Sequence, residues 1–213
     1  MNPKNLNLYI VDDDEAVRRS LGSLLLARLP DCSVKTFASG EAFLEGANLD
    51  GSGVVLLDLR MEPGISGLEV FAALQERTSP LVVVFLSGHG TLPVAVRAMQ
   101  EGAVTWLEKP CKDEHLMEAV EQAKARAAGI AAARRDRHQA LQRWAKVTPR
   151  EKQVAPLVAQ GMSSKVAAQL LTQQAPAKPI NWRTVDNYRA SIFDKLELAN
   201  SNELLVFLRD NGL

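Results

Sequence analysis

Apolar and polar positions divide the chain into two regimes. Up to Lys109, short apolar runs alternate with stretches of helical period; from Asp113 onward only the helical period remains. Leu6 to Val11 predicts a strand that runs straight into Asp12-Asp13-Asp14-Glu15. Val17, Leu21, Leu24 and Leu25 share one side of a helix from about Glu15 to Arg28, closed by Pro30, with Asp14 and Glu15 suited to its first turn. Ser33 to Phe37 predicts a second strand, and Ser39 caps a short helix carrying Ala42, Phe43 and Leu44. After Gly53, Val54 to Leu57 reads as a third strand buried on both faces that delivers Asp58 at its carboxyl end. Ser66 and Glu69 form a capping box that opens a helix from Gly67 to Arg77. Leu81 to Leu86 is a fourth, fully apolar strand ending on Ser87-Gly88-His89-Gly90. Thr91 as cap, Pro93 in the first turn and Gly102 at the end bound the next helix. Val104 to Leu107 is a fifth strand, followed by Glu108-Lys109-Pro110. Strands alternating with helices predict an α/β, doubly wound, five-stranded parallel sheet.

Between Asp113 and Trp144 no proline occurs, and one long helix is predicted. Leu116, Val120, Ala123, Ala127 and Ile130, then Arg134, Arg137, Leu141 and Trp144, follow a heptad seam. The two arginines interrupt it, which leaves pairing of two such helices and docking against a neighbouring domain both open. Thr148-Pro149-Arg150-Glu151 starts another helix with cap, proline and capping-box acid, ending at Gly161. Ser163 opens one from Ser164 to Leu171, Asn181 one from Trp182 to about Leu196, and Asn202 a last one from Glu203 to Asp210. The tail is thus a small all-α domain. Val185, Ile192 and Leu196 form the buried face of the Asn181-capped helix, and Arg183, Asn187, Ala190 and Asp194 point the opposite way.

Net charge is zero over 213 residues, but its distribution is not even. Residues 1–126 carry 12 Lys and Arg against 18 Asp and Glu, a balance of −6, and the remainder carries 13 against 7, a balance of +6. An acidic half suits metal or phosphate chemistry and a basic half suits a polyanion. Cys32 and Cys111 supply neither a disulfide framework nor a zinc site. No apolar segment approaches the roughly 20 residues of a membrane span, and Met1-Asn2-Pro3-Lys4-Asn5 has no signal-peptide pattern. The expectation is a soluble cytoplasmic protein with no membrane partner.

The chemistry lies at the strand ends. Asp12 and Asp13, Asp58, Ser87 and Lys109 all fall at the carboxyl edge of the predicted sheet, where open α/β folds build their sites. Three crowded carboxylates call for a cation between them, and Mg²⁺ takes oxygen ligands. With a hydroxyl and an ammonium added, the set can cradle a phosphoryl group on a carboxylate nucleophile.

These residues resemble the receiver domain of bacterial response regulators, a flavodoxin-like fold, and Asp58-Leu59-Arg60-Met61, Ser66-Gly67 and Leu86-Ser87-Gly88-His89-Gly90 are similar to its FixJ branch. The resemblance implies Asp58 as phosphoacceptor, and Asp12, Asp13, Asp58 and the backbone carbonyl of Arg60 as Mg²⁺ ligands. Lys109 and Ser87 would bind the phosphoryl group, and Trp106 would stand at the aromatic switch position. Trp106 is larger than the usual Tyr or Phe, so a moving switch and a half-packed apolar residue both stay open. Pro63 comes five residues after Asp58 rather than four, as though Glu62 were inserted, either as a solvated loop acid or as a contributor to the metal site. His89 reads as structural or solvated.

Thr148-Pro149-Arg150-Glu151, Gly161-Met162-Ser163-Ser164-Lys165, Thr184-Val185, Ile192 and Lys195-Leu196 resemble the LuxR-type helix-turn-helix domain. The expected organisation is 1–125 receiver, 126–146 helical linker and 147–213 DNA-binding domain. The resemblance implies Trp182 to Leu196 as recognition helix and Lys165, Thr184 and Lys195 at DNA phosphates, with Arg183, Asp186, Asn187 and Ala190 near base edges. Tyr188 stands where the family commonly has His. The turn before Ile180 is about eight residues longer than in the family; a passive surface bulge costs little closure entropy, and Lys178 reaching a phosphate, or the loop contacting a partner, is the alternative. The implied partners are a sensor histidine kinase, double-stranded DNA, a second copy of the chain once phosphorylated, and RNA polymerase. The protein is then a transcription regulator rather than an enzyme, apart from accepting and slowly losing a phosphoryl group. Two rivals are a phosphoacceptor adaptor whose long turn impairs DNA binding, and a metal-dependent hydrolase. Arg60 counts against the hydrolase, because it stands where a second acid would be expected.

Overall fold

The computed structural model describes residues 6–88 and 92–213, so the expected cap Thr91 and His89 lie outside the described residues. Residues 1–132 and 133–213 form two compact units, and each is described by itself.

In the first unit, β1 (Leu6–Val11), β2 (Cys32–Phe37), β3 (Gly53–Asp58), β4 (Leu81–Ser87) and β5 (Thr105–Glu108) form a parallel sheet in the order β2-β1-β3-β4-β5. Every residue of β3 and β4 is buried, which is why both read as uninterrupted apolar runs. Helices α1 (Glu15–Arg28), α2 (Gly40–Gly46), α3 (Gly67–Glu76), α4 (Leu92–Gln100) and the start of α5 (Asp113–Ala145) connect and cover the strands. One core contains Tyr9, Phe43, Val55, Leu57, Phe71 and Phe85 on one face of the sheet. Alternate residues, among them Leu8, Ile10, Leu56 and Val84, join Leu116, Val120, Ala123 and Ala127 of α5 on the other. The ladder runs past the strand ends: the Asp12 N–H donates to the Phe37 carbonyl at 3.2 Å, and the Lys109 N–H to the Ser87 carbonyl at 2.9 Å. Sheet bonding therefore fixes the backbone of two site residues.

The heptad seam holds for the first half of α5 and then slips. Leu116, Val120, Ala123 and Ala127 are buried in the first unit, whereas near the end Ala140 is buried and the expected seam residue Leu141 is 40% exposed. Ala140 belongs to the core of the second unit, so the end of α5 is buried by different neighbours from its start. Arg134 and Arg137 lie on exposed positions between the two halves.

The second unit contains the end of α5, α6 (Pro149–Ala159), α7 (Ser164–Gln174), α8 (Trp182–Leu196) and α9 (Ser201–Asn211) around a core of Val154, Val158, Leu171, Val185, Ile192, Leu196 and Leu204. Two boundaries differ from expectation. Helix α7 runs on to Gln174, because nothing before Pro176 breaks it. Helix α9 is capped by Asn200, not Asn202: Asn200 accepts from the Glu203 N–H at 3.0 Å, and Glu203 accepts from the Ala199 N–H at 2.8 Å. The acid three residues beyond the cap decides between the two asparagines.

Candidate functional site

The sheet order reverses between β1 and β3, and the site lies at that point on the carboxyl edge. Asp12 is 1% exposed, Asp58 7% and Ser87 1%, and Asp13 is exposed at the rim. The acidic run after β1 divides by role. Asp14 caps α1 by accepting from the Ala16 and Val17 N–H groups, and Glu15 occupies the first turn, leaving Asp12 and Asp13 to the site. One carboxylate oxygen from each of Asp12, Asp13 and Asp58 lies within 4.8 Å of the other two. Lys109 Nζ donates to Asp12 Oδ2 at 2.5 Å and lies 3.0 Å from Asp58 Oδ1. With Arg60, Ser87 and Gly88 these residues line a cavity of about 250 Å³.

Three carboxylates share one ammonium, with the Arg60 guanidinium at the rim, which leaves a net negative charge in a confined space. That donor set, all oxygen and partly open, fits a hard divalent cation. Burial pushes the Asp58 carboxyl above its ordinary range, and the hydrogen bond and charge of Lys109 only partly offset it. Burial also acts to lower the Lys109 pKa, but its bonds to Asp12 and Asp58 prevail and hold it raised.

The loop after β3 is shaped by a close approach. A Cβ at position 67 would come 2.1 Å from the Asp58 carbonyl oxygen, so only glycine lets α3 start there. The extra residue of this loop is taken up by two carboxylates. Asp13 Oδ2 accepts from the Glu62 N–H at 3.4 Å, and Glu41 Oε1 on α2 accepts from the Ile65 N–H at 2.8 Å. Gly64, at φ 142°, leaves room for the Glu41 carboxylate. The backbone N–H groups of Glu41 itself and of Ile65 hold the Glu41 carboxyl below its usual range. The Glu62 side chain is exposed. Trp106 is half-buried, with its ring centroid 5.5 Å from that of Phe85.

Sequence reasoning missed Arg18 and Glu41. Arg18 Nη1 donates to the Asp12 carbonyl at 2.6 Å, and its place in the first turns of the helix beside Asp12 was an available signal. No local pattern connects Glu41 to a loop 24 residues away.

In the second unit, Val185, Ile192 and Leu196 are fully buried, and Arg183, Asp186, Asn187 and Ala190 are exposed on α8 with Thr184 at the edge. Lys165 is exposed near the start of α7, and Ser164 Oγ donates to Asp186 Oδ1. Lys195 departs from expectation: its ammonium meets both oxygens of the buried Glu151, at 2.8 and 2.7 Å, instead of facing outward. Burial works to raise the Glu151 carboxyl, but bonds from Lys195, Ser191 and Thr148 overcome this and hold it at about 2. Sequence reasoning read Glu151 only as half of a capping box. The box is present, but the acid also anchors α8.

The comparisons agree with this division. Residues 8–121 match the family model "Response regulator receiver domain", and residues 145–208 match "Bacterial regulatory proteins, luxR family". The transcriptional regulatory protein FixJ of Azorhizobium caulinodans is 37% identical over 95% of this chain and 92% of its own length. The tetrathionate response regulatory protein TtrR of Salmonella typhimurium is 36% identical over 93% of this chain and 89% of its own. Among solved structures, response regulator StyR superposes with a TM-score of 0.79 at 33% identity, covering 97% of this chain and 98% of that one. Among the described residues no helix is long and apolar enough to cross a membrane. An acidic edge on a parallel sheet joined to a basic helical unit is therefore a two-component response regulator, and the chain belongs to the FixJ-like branch of that family, a receiver followed by a LuxR-type DNA-binding domain.

Proposed function

We propose that Asp58 is the phosphoacceptor of this transcription regulator. The observation that carries the reading is the under-neutralised cluster: Asp12, Asp13 and Asp58 are drawn together around one lysine, and Asp58 is buried with its pKa raised. One Asp58 oxygen attacks the phosphorus of a phosphohistidine on a sensor kinase. The P–O bond forms as the P–N bond breaks, and the imidazole leaves with the electron pair. Asp12, Asp13, Asp58 and the Arg60 carbonyl would hold Mg²⁺, which supplies positive charge against the phosphoryl oxygens when bound. Lys109 balances a further oxygen from the opposite side, and the Ser87 hydroxyl donates to another. Trp106, packed on Phe85 beside Ser87, is positioned to respond to movement of that strand end, and slow hydrolysis of the aspartyl phosphate resets the protein.

The output is sequence-selective binding of duplex DNA by α8. Arg183, Asp186, Asn187 and Ala190 read base edges, with Lys165 and Thr184 at phosphates and Lys195 bracing the helix from behind. Residues 126–146 act as the linker. Phosphorylation brings two copies together so that two basic units meet two half-sites, and the bound pair then engages RNA polymerase. The test is operator binding by the full chain with and without acetyl phosphate. Tighter binding by the parent and no response in Asp58→Asn is the expected result. An equal response in both overturns the assignment.

A further inference from the structure

The turn between α7 and α8 is firmly built. The Lys178 N–H donates to the Ala175 carbonyl at 2.9 Å, the Ile180 N–H donates to Thr172 Oγ1 at 3.1 Å, and Ile180 packs against the core of the second unit. Pro176 and Pro179 restrict the segment before it folds. A passive bulge requires none of these ties. They leave a cavity of about 530 Å³ whose lining includes Lys165, Gln169, Gln173, Asn181 and Trp182 and no carboxylate. Asp186, further along α8, is taken up by Ser164 Oγ. The Trp182 indole is 39% exposed, with the Arg183 guanidinium 5.0 Å from its ring centroid. Lys178 is exposed on the turn itself.

This set of groups has a definite chemical preference. Ammonium and guanidinium groups with no neighbouring free acid attract an anion, side-chain amides donate to phosphate oxygens, and an exposed ring offers an apolar face to a sugar. The cavity adjoins the start of α8, since Asn181 caps that helix and Trp182 is its first residue. We propose that the lengthened turn is a second DNA contact, which seats the sugar-phosphate backbone flanking the base pairs that face α8. Lys178 meets a phosphate, Gln169 and Gln173 donate to the same backbone, and Trp182 lies against a sugar. The inference rests on α8 facing DNA, and it lengthens the half-site beyond what that helix alone covers.

The test begins with a duplex selected from a random pool by the full-length parent protein in the presence of beryllofluoride and Mg²⁺. Affinity for that duplex is then measured against salt for the parent, Lys178→Ala, Lys178→Glu and Trp182→Ala, with circular dichroism to confirm the fold. Lys178→Ala is expected to reduce the slope of log affinity against log salt by about one, and Lys178→Glu to weaken binding about tenfold. Trp182→Ala is expected to weaken binding several-fold at unchanged slope, and the outer edge of the hydroxyl-radical footprint to shorten in all three. Parent-like affinity, slope and footprint in these variants overturn the proposal, even if a later step of transcription is impaired. A parent protein that selects no sequence overturns the DNA reading beneath it.

Discussion

Each unit buries a carboxylate beside a lysine, and the two pairs have opposite characters. In the second unit Glu151 is surrounded by its own partners: Lys195 meets both oxygens, Thr148 closes the capping box, and the carboxyl is held at about 2. In the first, Lys109 is shared between Asp12 and Asp58 while Asp13 adds a third charge, and the Asp58 carboxyl is pushed up. The contrast shows that burial of charge does not by itself mark a site. A buried acid whose partners satisfy it is structural, and one left with excess negative charge awaits a ligand.

The sharpest way to break this contrast is to remove each lysine's role in turn. Lys109→Ala takes away the only cation among the described residues that lines the acidic cavity, apart from the rim residue Arg60, so phosphoryl transfer to the chain is expected to fall about 100-fold, read by intact mass after timed exposure to acetyl phosphate. Glu151→Ala strands a half-buried ammonium and removes the reciprocal half of the α6 capping box, which should cost the second unit about 3 kcal/mol while leaving the first unit's melting unchanged. The same pair predicts an acid sensitivity. Glu151 is lowered from 4.5 to about 2, so its stabilisation is present above pH 4.5 and is lost as pH falls towards 2. By pH 3 the second unit should have lost about 2 kcal/mol relative to neutral pH, and Glu151→Gln should flatten that loss in denaturant titrations.

Smaller effects sharpen the other side. Asp13→Asn relieves like-charge repulsion and keeps an acceptor for the Glu62 N–H, so without divalent ion the first unit should gain about 0.5–1 kcal/mol and its Mg²⁺ affinity should fall about tenfold. A loss of stability in that variant would mean the cluster is a structural network like that of Glu151. Least of all, Glu41→Ala frees the Ile65 N–H, and Mg²⁺ affinity followed by Trp106 fluorescence should drop about threefold, with Glu41→Gln restoring it.

Much of this was legible in the residues. β1, α1 and α8 run between the expected bounds, because apolar period, cap and breaker agree in each. The gathering of Asp12, Asp13, Asp58, Ser87 and Lys109 followed from strand ends sharing one edge. Two of the misses were tertiary. Lys195 looks outward on a helical wheel, but Glu151 lies 44 residues earlier and only the packing of α6 on α8 turns the ammonium inward. Leu141 continues the heptad, but the end of α5 is buried by the core of the second unit, which takes Ala140 instead. The extension of α7 and the Asn200 cap were readable from Gln173-Gln174 and from the Asn200-to-Glu203 spacing, and the turn chemistry at those ends was misweighed.

The central claim is that the under-neutralised cluster, not the satisfied ion pair, receives the signal at Asp58. Intact-mass spectrometry of the full chain and of Asp58→Asn, each exposed to acetyl phosphate with and without Mg²⁺, tests it directly. The account predicts one phosphoryl group per chain, acquired by the parent only with Mg²⁺ and absent from the variant. Equal modification of Asp58→Asn, or uptake by the parent that ignores Mg²⁺, would contradict it.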